Sequence, residues 1–545
     1  MTPLTDLRAA VEAAAAELRP RGSEAGVAPT LEQPKRAEHG DYATNAAMLL
    51  APVLGAPPRE IADRLSGTLA ERLGPSLERA EVAGPGFLNL VLSDGWHREG
   101  LSDVLAAGAT YGAATATRPE RVLVEFVSAN PTGPLTAAGG RHAAYGDSIA
   151  RLLELAGHAV EREYYINDFG SQVQRLGLSI QARARGEEVP PDGYAGDYVR
   201  ELAAQIPGAE DADPGELAQA GVALMVERIQ ATLQRFGVEF DTWFSERSLH
   251  AGDPTAVDAA LVTLEEAGAL FEEEGATWLR TTPHADDKDR VLRRSTGEHT
   301  YFASDIAYHL DKRARGFDRM IDVWGADHHG YVPRMKASFA ALGDDPERLE
   351  LVIMQFVNLI ERGERASMSK RRGDFVTLDE LIEQVGVDAA RFFLLQRSHD
   401  TTVDLDIDLA RERTAENPVY YVQYAHARIA SIRAKAGEDA VAAAVASGGA
   451  AGSEAPLHPS ERILVRKLLA FPGEAAEAAE RRAPHRITTY ALELAQTFTA
   501  FYRDCQVVGA EPAGAETFRL ALSVAAQRVI AQSLGLLGVS APQEM

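Results

Sequence analysis

The sequence predicts a multidomain chain: an α/β core, an α+β unit ahead of it and an all-helical region behind it. Three observations carry the prediction. At 545 residues the chain is too long for one hydrophobic core. Residues 122–156 read as a buried strand, a glycine-rich loop and a helix, in that order. Beyond a polar bridge at 399–408 (HDTTVDLDID) the chain reads as helical.

Residues 1–115 form the first unit. Leu4, Leu7, Ala10, Val11 and Leu18 fall roughly on one face of its first helix. Gly84-Pro85-Gly86 turns into a strand at 87–92 (FLNLVL). The linker ATATRPE (114–120) leads into the core, 116–395. A mostly helical insertion at about 172–250 splits the core in two. It carries the loop GEEVPPDG (186–193) and an acidic turn at 210–213. Core strands resume near 277–279 and 291–294, and Met320 to Trp324 forms another. The helical region spans 396–545, with an Ala/Gly/Ser-rich connector at 440–456. There is no internal repeat.

The strand at the head of the core is Val122, Leu123, Val124, Phe126 and Val127, an apolar run of buried-strand length. Asn130-Pro131-Thr132-Gly133-Pro134 breaks it. Gly139 and Gly140 follow, and then Tyr145, Ile149, Leu152, Leu153 and Ala156 recur at helical spacing. Strand, glycine-rich loop and helix suit a nucleotide. Glycines let the backbone approach phosphate oxygens, and a helix N-terminus offers free N–H groups and a positive dipole end. The loop is not a P-loop, because no Lys-Ser or Lys-Thr pair follows the glycines.

Composition narrows the class. A hydrophobic content of 46% and a charged content of 25% are ordinary for a globular protein. The single cysteine, Cys505, excludes an internal disulfide framework and a Cys-rich zinc site, and fits a reducing cytoplasm. No secretory signal opens the chain and no run of about 20 apolar residues could span a membrane. The net charge of −25, from 55 basic and 80 acidic residues, argues against a generic nucleic-acid binder. An RNA partner needs only a local basic face.

The motifs resemble, in order and over nearly the whole chain, those of class I arginyl-tRNA synthetases. ANPTGPL, Arg141, Gly146-Asp147 and EREYYIND match the first half of that family's catalytic domain. HGDYATNAA, from His39, resembles its N-terminal domain. TYFASDIAYHLDK and DVWGADHHGYVPRMK, from Thr300 and Asp322, resemble its second catalytic half. SMSKRRGDFVTLDEL, from Ser367, resembles its mobile signature loop. ENPVYYVQYAHARIASI, from Glu416, resembles the start of its anticodon-binding helices.

The resemblance implies a Rossmann-like class I catalytic core with a helical insertion. It also implies an N-terminal domain touching the corner of the tRNA and an all-α C-terminal anticodon-binding domain. The implied activity attaches L-arginine to tRNA(Arg) through an arginyl-adenylate, with transfer to the 2′-OH of the terminal adenosine. ATP is the co-substrate, with Mg²⁺ accompanying it. Members of the family generally activate arginine only with tRNA bound. The expected setting is a cytoplasmic monomer with no membrane partner.

Adenylate formation needs positioning and charge stabilisation rather than a nucleophile. The basic run Lys370-Arg371-Arg372 before Gly373 suits a triphosphate. The resemblance makes Lys370 the second signature lysine. It places Gly133, Pro134, Gly140, Gly325, Asp327, His328, Met368 and Ser369 with Lys370 on ATP. Adjacent His328 and His329 lack an evident third ligand, so no resident metal is expected. A guanidinium needs matched buried carboxylates. Glu125 lies in an apolar strand, and Asp305 follows Tyr301 by four, on one helical face. The resemblance assigns arginine to Glu125, Asn130, Tyr301 and Asp305. It assigns tRNA to Asn45, Tyr420, Tyr424 and Arg428, where rings and a guanidinium on a helix suit base stacking.

One motif departs from the family. His-x-Gly-His should follow Pro134-Leu135, and the chain has Thr136, Ala137, Ala138 and Gly139. The first signature lysine is Ser367. Phosphate binding then falls to backbone N–H groups and the Thr136 hydroxyl, so Thr136 and Gly139 stand with Lys370 as expected catalytic positions. His142, one turn on, is either a surface histidine or a substitute. Two alternatives stay open: a weakened synthetase-like regulator that binds tRNA or arginine, and an arginine-using aminoacyl ligase of another pathway.

Overall fold

Five parallel strands build the sheet that positions the site. They are β1 (Arg121–Glu125), β2 (Ala159–Ile166), β3 (Thr242–Ser245), β4 (Arg319–Gly325) and β5 (Leu349–Met354), in the order β5-β4-β1-β2-β3. A computed structural model describes residues 3–20, 28–34, 36–365, 376–450, 455–512 and 514–545. Met368, Ser369 and Lys370 lie outside the described residues.

Val122, Leu123 and Val124 of β1 are fully buried, as a parallel sheet covered on both faces requires. The strand stops at Glu125, two residues earlier than its apolar run suggests. The reason is local: Val127 and Ser128 adopt φ of 70° and 38°. Such conformations cost side chains about 1–3 kcal/mol each and do not fit a ladder.

The chain then enters helix α1 (Ala137–Ala156). Gly146 must be glycine there, since a Cβ would stand 2.1 Å from the Phe126 ring. From β1 the chain runs to β2 on one side, while β4 pairs on the other. The carboxyl ends of β1 and β4 therefore flank the point where strand order reverses, where open α/β sheets bind ligands.

Helices Ser171–Ala184, Asp197–Gln205 and Pro214–Arg235 pack on a small core of their own, including Leu176, Leu202 and Met225. The span 172–250 is not all insertion: Thr242–Ser245 is β3, the edge strand of the main sheet. The expected strands near 277–279 and 291–294 do not rejoin that sheet. Ala276–Leu279 and Arg290–Arg293 pair antiparallel with each other, and Ala276–Leu279 also pairs with Leu270–Glu273. Their short connections cannot make the crossover a parallel pair needs. Helix α2 (Tyr301–Ala314) follows, and its Ile306 shares an apolar cluster with Leu123 and Met320 of the sheet.

Ahead of the core, Phe87–Leu92 pairs with Leu77–Ala83 and Tyr42–Thr44 beside the helix Pro3–Leu18 and three others. The core ends with helices α3 (Leu378–Val385) and α4 (Val387–Leu395); after it come a short helix, Ile407–Arg411, then α5 (Pro418–Ala436) and four more to Leu536. The polar bridge holds a short strand, Val403–Asp406, parallel to Val357–Glu361. One apolar cluster runs from Leu7 through Ile149 to Leu534, joining all three regions. Among the described residues no helix is long and apolar enough to cross a membrane.

Candidate active site

A cavity of about 350 Å³ opens at the carboxyl ends of β1 and β4. β1 and the turn after it contribute Glu125, Val127 and Ser128. α2 contributes Tyr301, Asp305, Tyr308 and His309, and β4 contributes Val323, Trp324 and Gly325. His142, Tyr165, Asn167, His328 and Tyr331 complete the wall. Tyr301 and Asp305 both reach it from the first turns of α2, four residues apart on one face.

The two acidic ends of this cavity differ in their partners. Glu125 is saturated: Lys312 Nζ donates to Oε2 at 2.6 Å and Ser128 Oγ donates to Oε1 at 2.7 Å. Burial lifts its pKa, against the pull of Lys312. Behind it, buried Asp322 accepts from Lys312 at 2.7 Å and lies 2.8 Å from His309 Nε2. Burial alone would raise Asp322, but Lys312 and His309 outweigh it and hold the carboxyl near a pKa of about 2.

Asp305 is the opposite case. Its Oδ2 accepts from the Tyr331 hydroxyl at 2.5 Å, and no cation comes within ion-pair distance among the described residues. Burial raises its pKa. Glu246, just past β3, is buried and makes no hydrogen bond or ion pair among the described residues. Burial, with Asp305 and Asp168 nearby, pushes it up to about 8. Asp168 is satisfied by Ser245 Oγ at 2.6 Å and the Arg247 N–H at 3.0 Å. Buried carboxylates without cations are costly, so this end fits a cationic ligand.

At the N-terminus of α1 several of the expected donors already have partners. The Thr136 hydroxyl caps the helix, accepting from the Gly139 N–H at 3.2 Å. The Ala137 N–H donates to Val376 O at 3.0 Å, and the Leu378 N–H to Leu135 O at 2.8 Å. Thr136 forms an antiparallel bridge with Thr377. The groups expected to hold phosphate are thus largely spent on the segment entering α3. Gly140 is glycine for packing, since a Cβ would meet Leu378 Cδ1 at 2.7 Å. His142 is no surface residue. It lines the cavity, and burial together with Arg141 lowers it to about 4, so its ring is neutral.

Of the other expected residues, Gly325 and His328 line the cavity, whereas Asp327 is largely exposed beside His328 Nδ1 at 3.2 Å. Asn130 is exposed and donates to Gln172 Oε1 at 2.7 Å. Gly133 and Pro134 sit in the loop against the insertion, where the Tyr198 hydroxyl donates to Thr132 O at 2.8 Å. The motif reading missed Glu246, Tyr331, His309 and Lys312. Tyr331, His309 and Lys312 sit inside quoted motifs. Glu246 follows a short aromatic strand, TWFS, a signal hidden by assigning that span to the insertion.

A second cavity, about 660 Å³, lies in the helical region, lined by Tyr424, Arg428, Lys435, Tyr502 and Met545 among others. Tyr420 and Tyr424 stack with centroids 6.1 Å apart, and the Arg428 guanidinium lies 4.6 Å from the Tyr424 ring centre. His426, between Tyr424 and Arg428 in sequence, is core: it is buried with Nδ1 2.8 Å from Pro542 O. Asn45 is spent locally, its Oδ1 accepting from the Thr30 N–H at 2.9 Å.

Comparison with known proteins agrees with this geometry. Residues 5–92 match the arginyl tRNA synthetase N-terminal domain, residues 100–190 and 208–431 the class I (R) tRNA synthetase catalytic domain, and residues 422–545 the DALR anticodon binding domain. An arginine–tRNA ligase from Frankia alni is 47% identical over 95% of this chain and 94% of its own. One from Kineococcus radiotolerans is 46% identical over 99% and 98%. The solved arginyl-tRNA synthetase of Thermus thermophilus superposes with a TM-score of 0.78 at 27% identity, over 99% of this chain and 100% of that one. By sequence motifs, domain matches and fold, the chain belongs to the class I arginyl-tRNA synthetase family.

Proposed function

We propose that the chain is an ATP-dependent arginine–tRNA ligase. The observation that carries this reading is Asp305, a half-buried carboxylate without a cation in the wall of an amino-acid-sized cavity, with a second carboxylate, the buried Glu246, near it. A planar guanidinium matches such a pair, and lysine's point charge does not satisfy it equally. The hydroxyls of Tyr301 and Tyr331 flank the same end. The Glu125 end, with Ser128 and Asn167, then faces the amino acid's own ammonium and carboxylate.

In this reading the arginine carboxylate attacks the ATP α-phosphorus in line, and pyrophosphate leaves with the electron pair of the broken bond. The 2′-OH of the terminal adenosine then attacks the arginyl carbonyl and AMP departs. ATP would lie beyond the end of β4, against Gly325, Asp327 and His328, with Gly133 and Pro134 across from them. Lys370, Met368 and Ser369 of the signature loop are read onto the phosphates from the motif alone. Mg²⁺ would arrive with ATP. The stacked Tyr420 and Tyr424 with Arg428 suit the anticodon, and Asn45 the tRNA corner. The tRNA-contacting, catalytic and anticodon-binding domains then span 1–115, 116–395 and 396–545. The cavity is complete within one chain, which supports a monomer working where tRNA is charged, in the cytoplasm.

A second reading, a regulator that binds arginine or tRNA without efficient charging, draws on the absent signature histidines and the spent donors at α1. Charging of total tRNA with each amino acid in turn decides between them. Efficient arginylation, with ATP–pyrophosphate exchange that requires tRNA, is expected. Arginine binding without charging would select the regulator, and preferential charging of another amino acid would remove both.

A further inference from the structure

Lys312 lies near the C-terminal end of α2 and has no solvent exposure. Its ammonium has three protons to donate and three targets. Glu125 Oε2 is at 2.6 Å, Asp322 Oδ1 at 2.7 Å, and the centre of the Tyr308 ring at 4.3 Å. Lys312 does not itself line the cavity, yet it is tied to both ends. Glu125 forms one end directly. Asp322 lies 2.8 Å from His309 Nε2, and His309 Nδ1 lies 2.7 Å from the backbone oxygen of Asp305. One unbroken series of contacts therefore links the two acidic ends across β1, β4 and α2.

Burying three charges is a poor way to stabilise a fold, because desolvation consumes most of the Coulomb gain. What the cluster supplies is a fixed separation. A carboxylate held by an ammonium on one oxygen and a hydroxyl on the other cannot swing. We infer that Lys312 is a positioning residue that sets the distance between the two acidic ends, and so the length of the amino acid accepted. The inference rests on reading the cavity as the arginine site.

The test compares L-arginine with L-homoarginine, one methylene longer, in tRNA charging by the full chain. Two variants are used, Lys312→Met and Lys312→Met with Asp322→Asn. The native cluster holds one cation and two carboxylates. The single variant takes the shared cation from both carboxylates, leaving Glu125 to Ser128 and Asp322 to His309. The double variant leaves one carboxylate, restoring the native net charge without the tether. The unaltered chain should favour arginine by about 10-fold or more in kcat/KM, the usual worth of one methylene. Both variants should move that ratio toward unity, chiefly through KM, and the double should recover melting temperature. If Lys312→Met does not fold, the double variant carries the test. A native ratio in the double variant overturns the inference, whatever its absolute activity, since Lys312 would then act through charge or folding alone. Failure of the arginine reading looks different: the unaltered chain would charge neither compound.

Discussion

The acidic end of the cavity and the N-terminus of α1 make opposite impressions in sequence and in structure. At α1 the sequence offers glycines and free helix-end donors, yet the folded chain has given most of them partners: Thr136 Oγ for Gly139, Val376 O for Ala137. At the acidic end the sequence offers one motif aspartate, and the fold adds a second carboxylate, Glu246, and leaves both without a cation. A ligand site is betrayed by polar groups left unmatched, because folding otherwise pairs what it buries. By that criterion the Asp305 end is poised for a cation, while the N-terminus of α1 is already engaged by Val376 and Thr377.

The sharpest way to break this contrast is to remove the poised charge. Asp305→Ala should weaken arginine by about 2–5 kcal/mol, the usual loss when one partner of a buried charge pair is truncated. Lysine should gain nothing in compensation. Arginine KM in steady-state charging measures it, and an unchanged KM would place the guanidinium elsewhere.

Glu246 gives the next effect, with a sign fixed by its titration. In the empty site its pKa is near 8, so at neutral pH it largely keeps its proton. A guanidinium favours the ionised form. Arginine affinity should therefore rise with pH and level off above about 8, with protons released on binding, and Asp305 is shifted the same way. The empty protein obeys the reverse rule. Its stability should fall as pH rises from the ordinary glutamate range through the folded pKa, since the unfolded chain gives up that proton first. Glu246→Gln should flatten the binding profile and cost about 1.5–3 kcal/mol above pH 8, as for a hydrogen bond to a charged group. Calorimetry in buffers of different ionisation heat reads both. A pH-independent affinity in the native chain would remove Glu246 from the site.

How far each region was legible follows from the range of the forces involved. The β1–α1 unit was readable because an apolar run and a helical repeat are local signals, and Glu125, Tyr301, Asp305, Gly325 and His328 converge on one cavity. The strand's early end was not, because positive φ at Val127 and Ser128 is a bargain struck with the surrounding core. Lys312 lies 187 positions from Glu125, so no spacing rule reveals that they pair. The cross-link at Thr136 was hidden for the same reason: Thr377, which bridges it, and Val376, which takes the Ala137 N–H, belong to a distant segment. His142 looked like a surface residue until the sheet closed over it.

The engaged N-terminus of α1 predicts a smaller effect. Restoring the family signature with Thr136→His, Ala138→Gly and Gly139→His removes the hydroxyl that caps α1. Loss of such a cap typically costs about 0.5–2 kcal/mol. Space is not the obstacle, since a Cβ at Gly139 meets nothing closer than Leu135 Cδ2 at 3.7 Å. A lower melting temperature with no gain in kcat is expected, meaning that the chain has adapted to its own loop. A gain of two or more decades in kcat would show the native phosphate site to be impaired and would favour the regulator.

The smallest effect belongs to Arg428 in the helical region, which already has Tyr424 as a partner. The Arg428 guanidinium covers the exposed Tyr424 ring and donates to its hydroxyl at 2.8 Å. A cation so placed at the surface of a chain with net charge −25 is useful to RNA only as a local exception to a repulsive field. Arg428→Ala should weaken tRNA binding modestly and reduce the slope of log affinity against log salt by about one. It should leave arginine KM unchanged, because the cavity at β1 and β4 shares no residue with this one. Tyr424→Ala removes the ring instead, and should cost about 1–3 kcal/mol if a base stacks there, with the salt slope unaltered. An altered slope with Tyr424→Ala and none with Arg428→Ala would mean that the ring serves to hold other cations in place, and that the anticodon contacts lie on another face of the bundle.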